Sequence, residues 1–201
     1  MNPATASQLR IFKQVLRQFE KEGIPYEMAH AANSAAIVGH PASAFNMVRP
    51  GLMTYGVWPT DTPPERMALR PVGRWESKIV LIKELPSGWS IGYGRTYTTE
   101  RPTRTAVIPV GYADGYKVPF GNNADVLIRG RRCPARGRVS MDQIVVDVTE
   151  VPGVTAGDPA VLIGIDGSEQ ITVSELAKRA RTVGQDILSC IGPRVHRVYV
   201  N

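Results

Sequence analysis

The pattern of apolar residues changes near Trp58, and this change limits the folds open to the chain. Before it, a helix at 7–20, a short strand at 22–30, a helix beginning at Ser34 and a buried strand at 46–56 alternate, as in parallel βα architecture. Thr5 or Ser7 is available to cap the first helix. Two such strands cannot bury a parallel sheet, because both faces of that sheet must be covered. We therefore expect residues 1–58 to be the last part of a larger α/β domain whose beginning lies outside this sequence.

The residues after Trp58 predict a different kind of structure. A Pro-rich linker lies at 59–65. Five short strand-like runs follow it, each closed by Gly, Pro, Asn or Asp, and they lie at 77–85, 106–111, 124–129, 143–148 and 160–164. Regular short strands with such turns indicate a small β-barrel or a sandwich. A capping box of Thr172 and Glu175 predicts one late helix, and residues 194–200 predict a last strand.

Composition excludes several classes of protein. The 201 residues are 43% hydrophobic and 21% charged, which is typical of a folded domain rather than a disordered chain. The two cysteines, Cys133 and Cys190, form no CxxC pair and have no histidine at metal-ligand spacing, so we expect neither a disulfide framework nor a metal site. No apolar stretch is long enough to cross a bilayer, and the N-terminus lacks a signal pattern. We expect a soluble cytoplasmic protein with no membrane partner.

The net charge of +6 raises the question of nucleic-acid binding, because five arginines fall within residues 129–138. No aromatic residue is interleaved there for base stacking, and no helix-turn-helix, RNP or zinc-finger pattern accompanies the run. We therefore expect no nucleic-acid partner, and a solvated or phosphate-facing surface instead.

Five motifs occur in a fixed order along the chain: HAANSAA at 30–36, NMVRPGLMTYG at 46–56, GYGRTY at 92–97, PVGYADGY at 109–116 and GRVSMDQ at 137–143. In this order they resemble the C-terminal half of the pyridoxal-phosphate (PLP)-dependent alanine racemases. The resemblance implies a mostly β fold, in which a C-terminal β-barrel-like domain at 59–201 follows the last two βα units of an incomplete (β/α)8 barrel at 1–58. It also implies PLP as cofactor, interconversion of L-alanine and D-alanine for peptidoglycan synthesis, and a homodimer.

The resemblance assigns the first two motifs to the cofactor. Ser34, Gly51 and Leu52 match positions that bind the phosphate, where a hydroxyl and closely approaching backbone N–H groups are suitable donors. Arg49 matches an arginine that faces the pyridine nitrogen, and His30 matches the histidine that braces it. A guanidinium only donates hydrogen bonds, so that nitrogen would stay unprotonated and side reactions such as transamination would be restrained. Without the family, a helix cap, a turn glycine and a core histidine remain as interpretations.

The other motifs match catalytic and substrate-binding positions. Tyr93 matches the tyrosine that exchanges a proton with alanine, and it lies 48 positions before Met141, as in the family. This spacing favours Tyr93 over Tyr97. A phenol with a pKa of about 10 needs charged neighbours to act as a base near neutrality. Met141, through its backbone N–H, and Tyr112, at the narrow entry, match substrate contacts; without the family they would be core or interface residues.

The sequence also departs from the family. None of the six lysines lies in a motif like VKANAYG, where the family carries its Schiff-base lysine. We therefore expect that lysine to lie outside this chain, and we expect the chain to need an N-terminal half that supplies it. Lys117 and Val118 replace the usual Pro-Arg, and Pro193 replaces a phosphate-contacting tyrosine. Two alternatives stay open: a non-catalytic fragment that acts as a binding or dimerisation domain, and an amino-acid racemase of broader specificity.

Overall fold

The computed structural model describes residues 2–61 and 67–200. The chain divides into two compact units, Met1–Val72 and Gly73–Asn201. Residues 62–65 of the predicted linker lie outside the described residues.

The first unit contains a long helix followed by three short ones. The helices are α1 (Pro3–Lys21), α2 (Ser34–Gly39), a 3-10 turn (Pro41–Ser43) and α3 (Gly51–Thr54). The helix predicted at 7–20 is therefore confirmed, but its start was wrong. Asn2 caps α1 by accepting a hydrogen bond from the Ala4 N–H at 2.9 Å, and a proline follows it at the first helical position. Thr5 and Ser7, the expected caps, lie inside the helix.

Neither of the two strands predicted in this unit forms among the described residues, and an isolated bridge joins the segments that precede α2 and α3. The Arg49 N–H donates to the Ala32 carbonyl at 2.9 Å, and Asn33 and Arg49 form an isolated parallel bridge. The prediction of strands at 22–30 and 46–56 was wrong, because the first contains no strand and the second turns into α3. The side chain of Asn46 replaces ladder hydrogen bonds, since it accepts from the Ala29 N–H and donates to the carbonyl of residue 27.

The second unit is an antiparallel β structure with helices near its C-terminal end. Its described residues form ten strands: β1 (Trp75–Lys78), β2 (Leu81–Leu85), β3 (Ser90–Ile91), β4 (Tyr97–Thr98), β5 (Thr103–Ile108), β6 (Asp125–Ile128), β7 (Arg131–Arg136), β8 (Ile144–Asp147), β9 (Pro159–Asp166) and β10 (Glu169–Ile171). Two α-helices and three 3-10 turns complete it: α4 (Val173–Arg179), α5 (Gly184–Ser189), Tyr93–Arg95, Tyr112–Asp114 and Val118–Phe120.

The main sheet closes into a barrel. Its strand order is β1-β9-β6-β7-β8-β5-β2, so the two end strands are consecutive in the sequence and only Ile79 and Val80 separate them. The Ile79 N–H donates to the Asp158 carbonyl at 2.9 Å, and the Val80 N–H donates to the Val107 carbonyl at 2.9 Å. One bent segment thus pairs with both free edges of the sheet. Of the two folds that the sequence left open, the structure is a barrel rather than a sandwich.

The barrel core is filled by apolar side chains that alternate with exposed ones along the strands. The three consecutive residues Val126, Leu127 and Ile128 of β6 are fully buried. The ring of Tyr116 is also fully buried and lies 4.7 Å from the ring of Phe120, centroid to centroid. These residues lie beside the PVGYADGY motif, which is therefore fixed to the core at its C-terminal end.

Most of the strands predicted for this unit were right in position, but fewer strands were predicted than the structure contains. The run at 77–85 is split into β1 and β2, and the runs at 106–111, 124–129, 143–148 and 160–164 overlap β5, β6, β8 and β9. The strand predicted at 194–200 was wrong: these residues contain a turn and a bend but no strand pairing, and Tyr199 is almost fully exposed. Alternation of apolar and polar residues favours a strand, but a strand also needs a partner edge.

The arginine-rich run at 129–138 forms the turn into β7 and β7 itself. Arg132 bonds to Glu169 at 2.7 Å and to Glu175 at 2.8 Å, and Arg129 bonds to Asp158 at 2.9 Å. Glu175 also accepts from Arg179 at 3.0 Å, so β7, β10 and α4 are joined by one charge network. Arg129 and Arg132 of this run therefore serve intramolecular ion pairs.

The charge network predicts a specific stability effect. Burial alone would raise the pKa of Glu175, but the hydrogen bonds from Arg132 and Arg179 outweigh it, and the pKa lies below its ordinary value. We expect Glu175→Gln to lower the free energy of unfolding by about 2 kcal/mol at neutral pH, because Arg132 and Arg179 each lose one of their carboxylate partners. Since the folded-state pKa is depressed, this stabilisation is complete above the unfolded-state pKa and is lost as the pH falls through the folded-state value.

Urea unfolding at neutral and at progressively more acidic pH measures this difference. Glu150→Gln is the matched control, because Glu150 pairs with Arg101 at 3.0 Å but its side chain is 78% exposed. It should change the free energy of unfolding by less than about 1 kcal/mol. A Glu175→Gln protein with the wild-type midpoint at neutral pH would contradict the stabilising role of the network.

Candidate functional site

The residues predicted to hold the cofactor form a cluster in the first unit. Ser34 is the first residue of α2 and Gly51 is the first residue of α3, and each helix follows one of the two parallel extended segments. The pairing of those segments places the two helix starts side by side. The Met53 N–H donates to the Ser34 hydroxyl oxygen at 3.3 Å, which ties the first turn of α3 to the start of α2.

This arrangement leaves hydrogen-bond donors available. The Ser34 oxygen accepts from Met53, and no described residue accepts the hydroxyl proton of Ser34. Gly51 uses its own N–H on the Arg49 carbonyl, whereas the Leu52 N–H has no acceptor among the described residues. A side chain built on Gly51 would meet no atom within 4 Å, so a ligand can approach the backbone there. A hydroxyl, a free N–H and an open glycine suit a phosphate group.

Arg49 and His30 lie together beside these donors. Nη1 of Arg49 is 3.5 Å from Nδ1 of His30, and Nη2 is 3.5 Å from the carbonyl oxygen of Ala31. Because a guanidinium only donates, Nδ1 of His30 is the acceptor in this contact. Arg49 remains exposed, so its other N–H groups can donate to a ring nitrogen of a ligand. The residues of this cluster therefore fit the donor set that PLP requires.

The residues predicted to meet the substrate form a second cluster, in the second unit, where loops meet at glycines. The Tyr112 N–H donates to the Ser140 carbonyl at 3.0 Å, and the Ala113 N–H donates to the Met141 carbonyl at 3.0 Å. A Cβ atom on Gly111 would overlap the carbonyl oxygens of Ser140 and Met141. The absence of a side chain at Gly111 is what allows the PVGYADGY and GRVSMDQ loops to pack backbone to backbone.

A second glycine contact brings in the loop that carries Tyr93. A Cβ atom on Gly137 would lie 2.6 Å from the carbonyl oxygen of Ile91. Asn122 links the same two segments, because its Oδ1 accepts from the Gly137 N–H at 2.7 Å and its Nδ2 donates to the Thr96 carbonyl at 3.2 Å. The GRVSMDQ loop thus contacts both of the other loops, and the three motifs converge.

The three candidate side chains on these loops are solvent-exposed, whereas Tyr116 and Val139 of the same motifs are buried. Tyr93 is 73% exposed, Tyr112 is 50% exposed and Met141 is 52% exposed. The interpretation of Tyr112 and Met141 as core residues was therefore wrong. Tyr97, the alternative to Tyr93, is half-buried in β4, and the guanidinium of Arg136 lies 4.5 Å from the centroid of its ring. Of the two tyrosines, Tyr93 is the one free to meet a ligand.

Sequence patterns missed the contacts that support these loops. Arg194 bonds to Asp114 of the PVGYADGY motif at 3.3 Å and to Asp142 of the GRVSMDQ motif at 2.6 Å. Lys117, which departs from the family, bonds to Asp186 of α5 at 3.0 Å. The sequence gives little indication of either ion pair, because the paired residues lie far apart along the chain. In addition, the alternation of residues after Pro193 is typical of a strand and favours a structural role for Arg194.

Other kinds of site find little support among the described residues. Residues 2–61 and 67–200 contain no group of three His, Cys, Asp or Glu side chains that could hold a metal ion. No helix in the described part of the chain is long and apolar enough to cross a membrane. Both cysteines are free thiols, and burial raises the pKa of Cys133 to about 12, so its thiol is unreactive near neutrality.

Comparisons with known proteins agree with this geometry. A family model described as the alanine racemase C-terminal domain matches residues 72–199, and one for the N-terminal domain matches residues 1–59. The alanine racemase of Halothermothrix orenii is 46% identical over 190 residues, which cover 94% of this chain and 50% of that protein.

Solved structures give the same result. The alanine racemase of D-cycloserine-producing Streptomyces lavendulae superposes with a TM-score of 0.94 at 38% sequence identity. The match covers 100% of this chain and 53% of that protein's chain. The enzyme of Bartonella henselae, solved with covalently bound PLP, has a TM-score of 0.87 at 30% identity, with 100% of this chain matching 53% of that chain. The chain thus spans about half the length of the curated relatives that it matches.

The contact at Gly111 can be tested by adding a methyl group. The backbone of Gly111 has φ of −147°, which alanine also adopts, so any effect of Gly111→Ala comes from the overlap with Ser140 and Met141. We expect this variant to lose about 2 kcal/mol of unfolding free energy and to expose the Tyr112 amide to exchange. Gly73→Ala is the control, because a Cβ atom there meets nothing within 4 Å. Equal stability of the two variants would show that the loops do not depend on this contact.

Proposed function

The chain belongs to the alanine racemase family, and from this membership we propose that it carries one part of a PLP-dependent alanine racemase. That part comprises the tyrosine that exchanges the α-proton of alanine and several cofactor-binding residues. The observation that carries the proposal is the convergence of the GYGRTY, PVGYADGY and GRVSMDQ loops, which presents Tyr93, Tyr112 and Met141 on exposed turns.

The first cluster would hold the cofactor. When bound, PLP supplies the electron-withdrawing ring that makes the α-hydrogen of an amino acid acidic. Ser34 would donate a hydrogen bond from its hydroxyl to the phosphate, and the Leu52 N–H would donate beside it over the open backbone of Gly51. Arg49 would donate a hydrogen bond to the ring nitrogen, which would then stay unprotonated, and His30 would hold Arg49 in place.

The second cluster would hold the substrate and move the proton. Tyr93 would take the α-proton of L-alanine at its phenolic oxygen on one face, and the lysine from outside this chain would supply a proton on the opposite face to give D-alanine. The Met141 N–H has no acceptor among the described residues, so it can donate to the substrate carboxylate. Tyr112 flanks the same position and limits the size of the side chain that enters, which favours alanine.

The lysine that anchors PLP would come from outside this chain. Of the lysines in this chain, Lys117 is a poor candidate, because hydrogen bonds to Cys190 and Asp186 outweigh the effect of burial and raise the pKa of its amine. A covalent anchor needs the neutral amine, and this ion pair favours the charged form. We therefore propose that the chain completes a racemase site together with an N-terminal half, within a homodimer as in the family. The D-alanine formed would supply peptidoglycan synthesis in the cytoplasm.

The unmatched lysine motif favours a second candidate, a non-catalytic racemase fragment that acts as a binding or dimerisation domain. That candidate requires PLP or partner binding without turnover when an N-terminal half is supplied. A racemase of broader specificity would turn over serine or lysine as well as alanine, and the same assay with those substrates separates it from the main proposal.

Replacement of Tyr93 tests the proposed proton transfer. The context is a chimera in which this chain replaces the matching half of the Halothermothrix orenii alanine racemase, which supplies the lysine. We expect Tyr93→Phe to lower kcat for L-alanine by about a thousandfold, since the phenolic oxygen is lost, while PLP stays bound as judged by its absorbance.

Tyr97→Phe is the matched control, because Tyr97 lies four positions along and packs under Arg136. It should retain most of the activity, since its hydroxyl does not meet the substrate. Full activity of Tyr93→Phe, or inactivation by Tyr97→Phe alone, would assign the proton transfer to another residue.

A further inference from the structure

Arg194 joins the two loops that carry Tyr112 and Met141. Its Nε lies 3.3 Å from Oδ1 of Asp114, and its Nη2 lies 2.6 Å from Oδ1 of Asp142. We infer that Arg194 is a positioning residue of the racemase site, which fixes Tyr112 relative to the Met141 N–H; this inference rests on the proposed function of those two residues.

The contact with Asp114 fixes Arg194 to the Tyr112 turn. Asp114 is nearly buried, and its Oδ2 accepts from the Gly111 N–H at 2.9 Å while its Oδ1 faces Arg194. One carboxylate therefore closes the turn on itself and receives the guanidinium at the same time. A shift of Arg194 would be transmitted directly to the backbone on which Tyr112 stands.

The contact with Asp142 fixes the other loop. Asp142 follows Met141 directly, and the Ser140 and Met141 carbonyls accept hydrogen bonds from the Tyr112 turn. Arg194 adds a charge-assisted hydrogen bond to the Asp142 carboxylate, next to these backbone contacts between the two loops. A planar guanidinium spans two carboxylates at once, whereas a lysine amine is a point charge that would favour one of them.

The charge of Arg194 also matters for an anionic substrate. Without it, Asp142 would be an unpaired carboxylate next to the N–H proposed to receive the alanine carboxylate, and like charges repel. Loss of Arg194 should thus weaken substrate binding more than it slows proton transfer.

The backbone around Arg194 is held in the same place. The Gly192 N–H donates to the Asp114 carbonyl at 3.0 Å, and the Val195 N–H donates to the Gly192 carbonyl at 3.2 Å. The Gly192 bond therefore attaches this segment to the Tyr112 turn independently of the Arg194 side chain, and the Val195 bond closes a turn within the segment. A variant at Arg194 can lose the bridge while the segment stays docked, which makes the bridge testable by itself.

Amide hydrogen exchange on the full chain tests the bridge without any need for activity. In Arg194→Met we expect the Tyr112 and Ala113 amides to exchange about tenfold faster than in the wild type, and in Arg194→Lys the increase should be smaller. Arg101→Met is the control: Arg101 has the same side-chain exposure, 51% against 50%, and forms a single ion pair with Glu150. Unchanged exchange at Tyr112 and Ala113 in Arg194→Met would overturn the inference.

Kinetics in the Halothermothrix orenii chimera test the role in substrate binding. We expect Arg194→Met to raise KM for L-alanine about fivefold with a smaller change in kcat, and Arg194→Lys to recover part of the loss. Faster exchange with an unchanged KM would reduce Arg194 to a structural residue and overturn the positioning role. If the unmodified chimera does not racemise alanine, the proposed function fails, whereas the exchange measurement still decides whether Arg194 joins the loops.

Discussion

Backbone pairing of one bent segment with two strands holds the second unit together. Ile79 and Val80 carry the chain from β1, which pairs with β9, to β2, which pairs with β5. Without this bend the sheet would have two open edges, each with unpaired N–H and carbonyl groups. Closure also fixes the ends of β5 and β8, and therefore the positions at which the PVGYADGY and GRVSMDQ motifs leave the barrel.

Glycines and carboxylates hold together the loops of the candidate site at the edge of the barrel. Gly111 and Gly137 allow backbones to approach more closely than any side chain would permit, so main-chain contacts order the loops while Tyr93, Tyr112 and Met141 remain exposed. Asp142 accepts a hydrogen bond from Arg194, and Asp114 forms an ion pair with it, at the base of two of these loops. A binding surface needs exposed side chains to contact the ligand, and other residues that do not contact the ligand must hold those side chains in position.

Local signals in the sequence predicted some features well and others poorly. The helix at 7–20 followed from its apolar periodicity, but its start depended on a cap and proline two residues from the chain's beginning. Residues 46–56 were misassigned because a short apolar run does not distinguish a strand from a helical turn. The motifs predicted the site residues, whereas no pattern predicted the role of Arg194, because its partner Asp142 lies 52 positions away. Contacts of that range depend on the closed barrel and have no local signature.

The central claim is that this chain supplies the tyrosine side of a racemase site and depends on another segment for the lysine side. The most direct measurement is the rate of D-alanine formation from L-alanine and PLP, by the chain alone and by its chimera with the N-terminal half of the Halothermothrix orenii enzyme. The account predicts no D-alanine from the chain alone and steady racemisation by the chimera. Racemisation by the chain alone would mean that one of its own lysines anchors the cofactor, and a chimera that binds PLP without turnover would contradict the catalytic role of Tyr93.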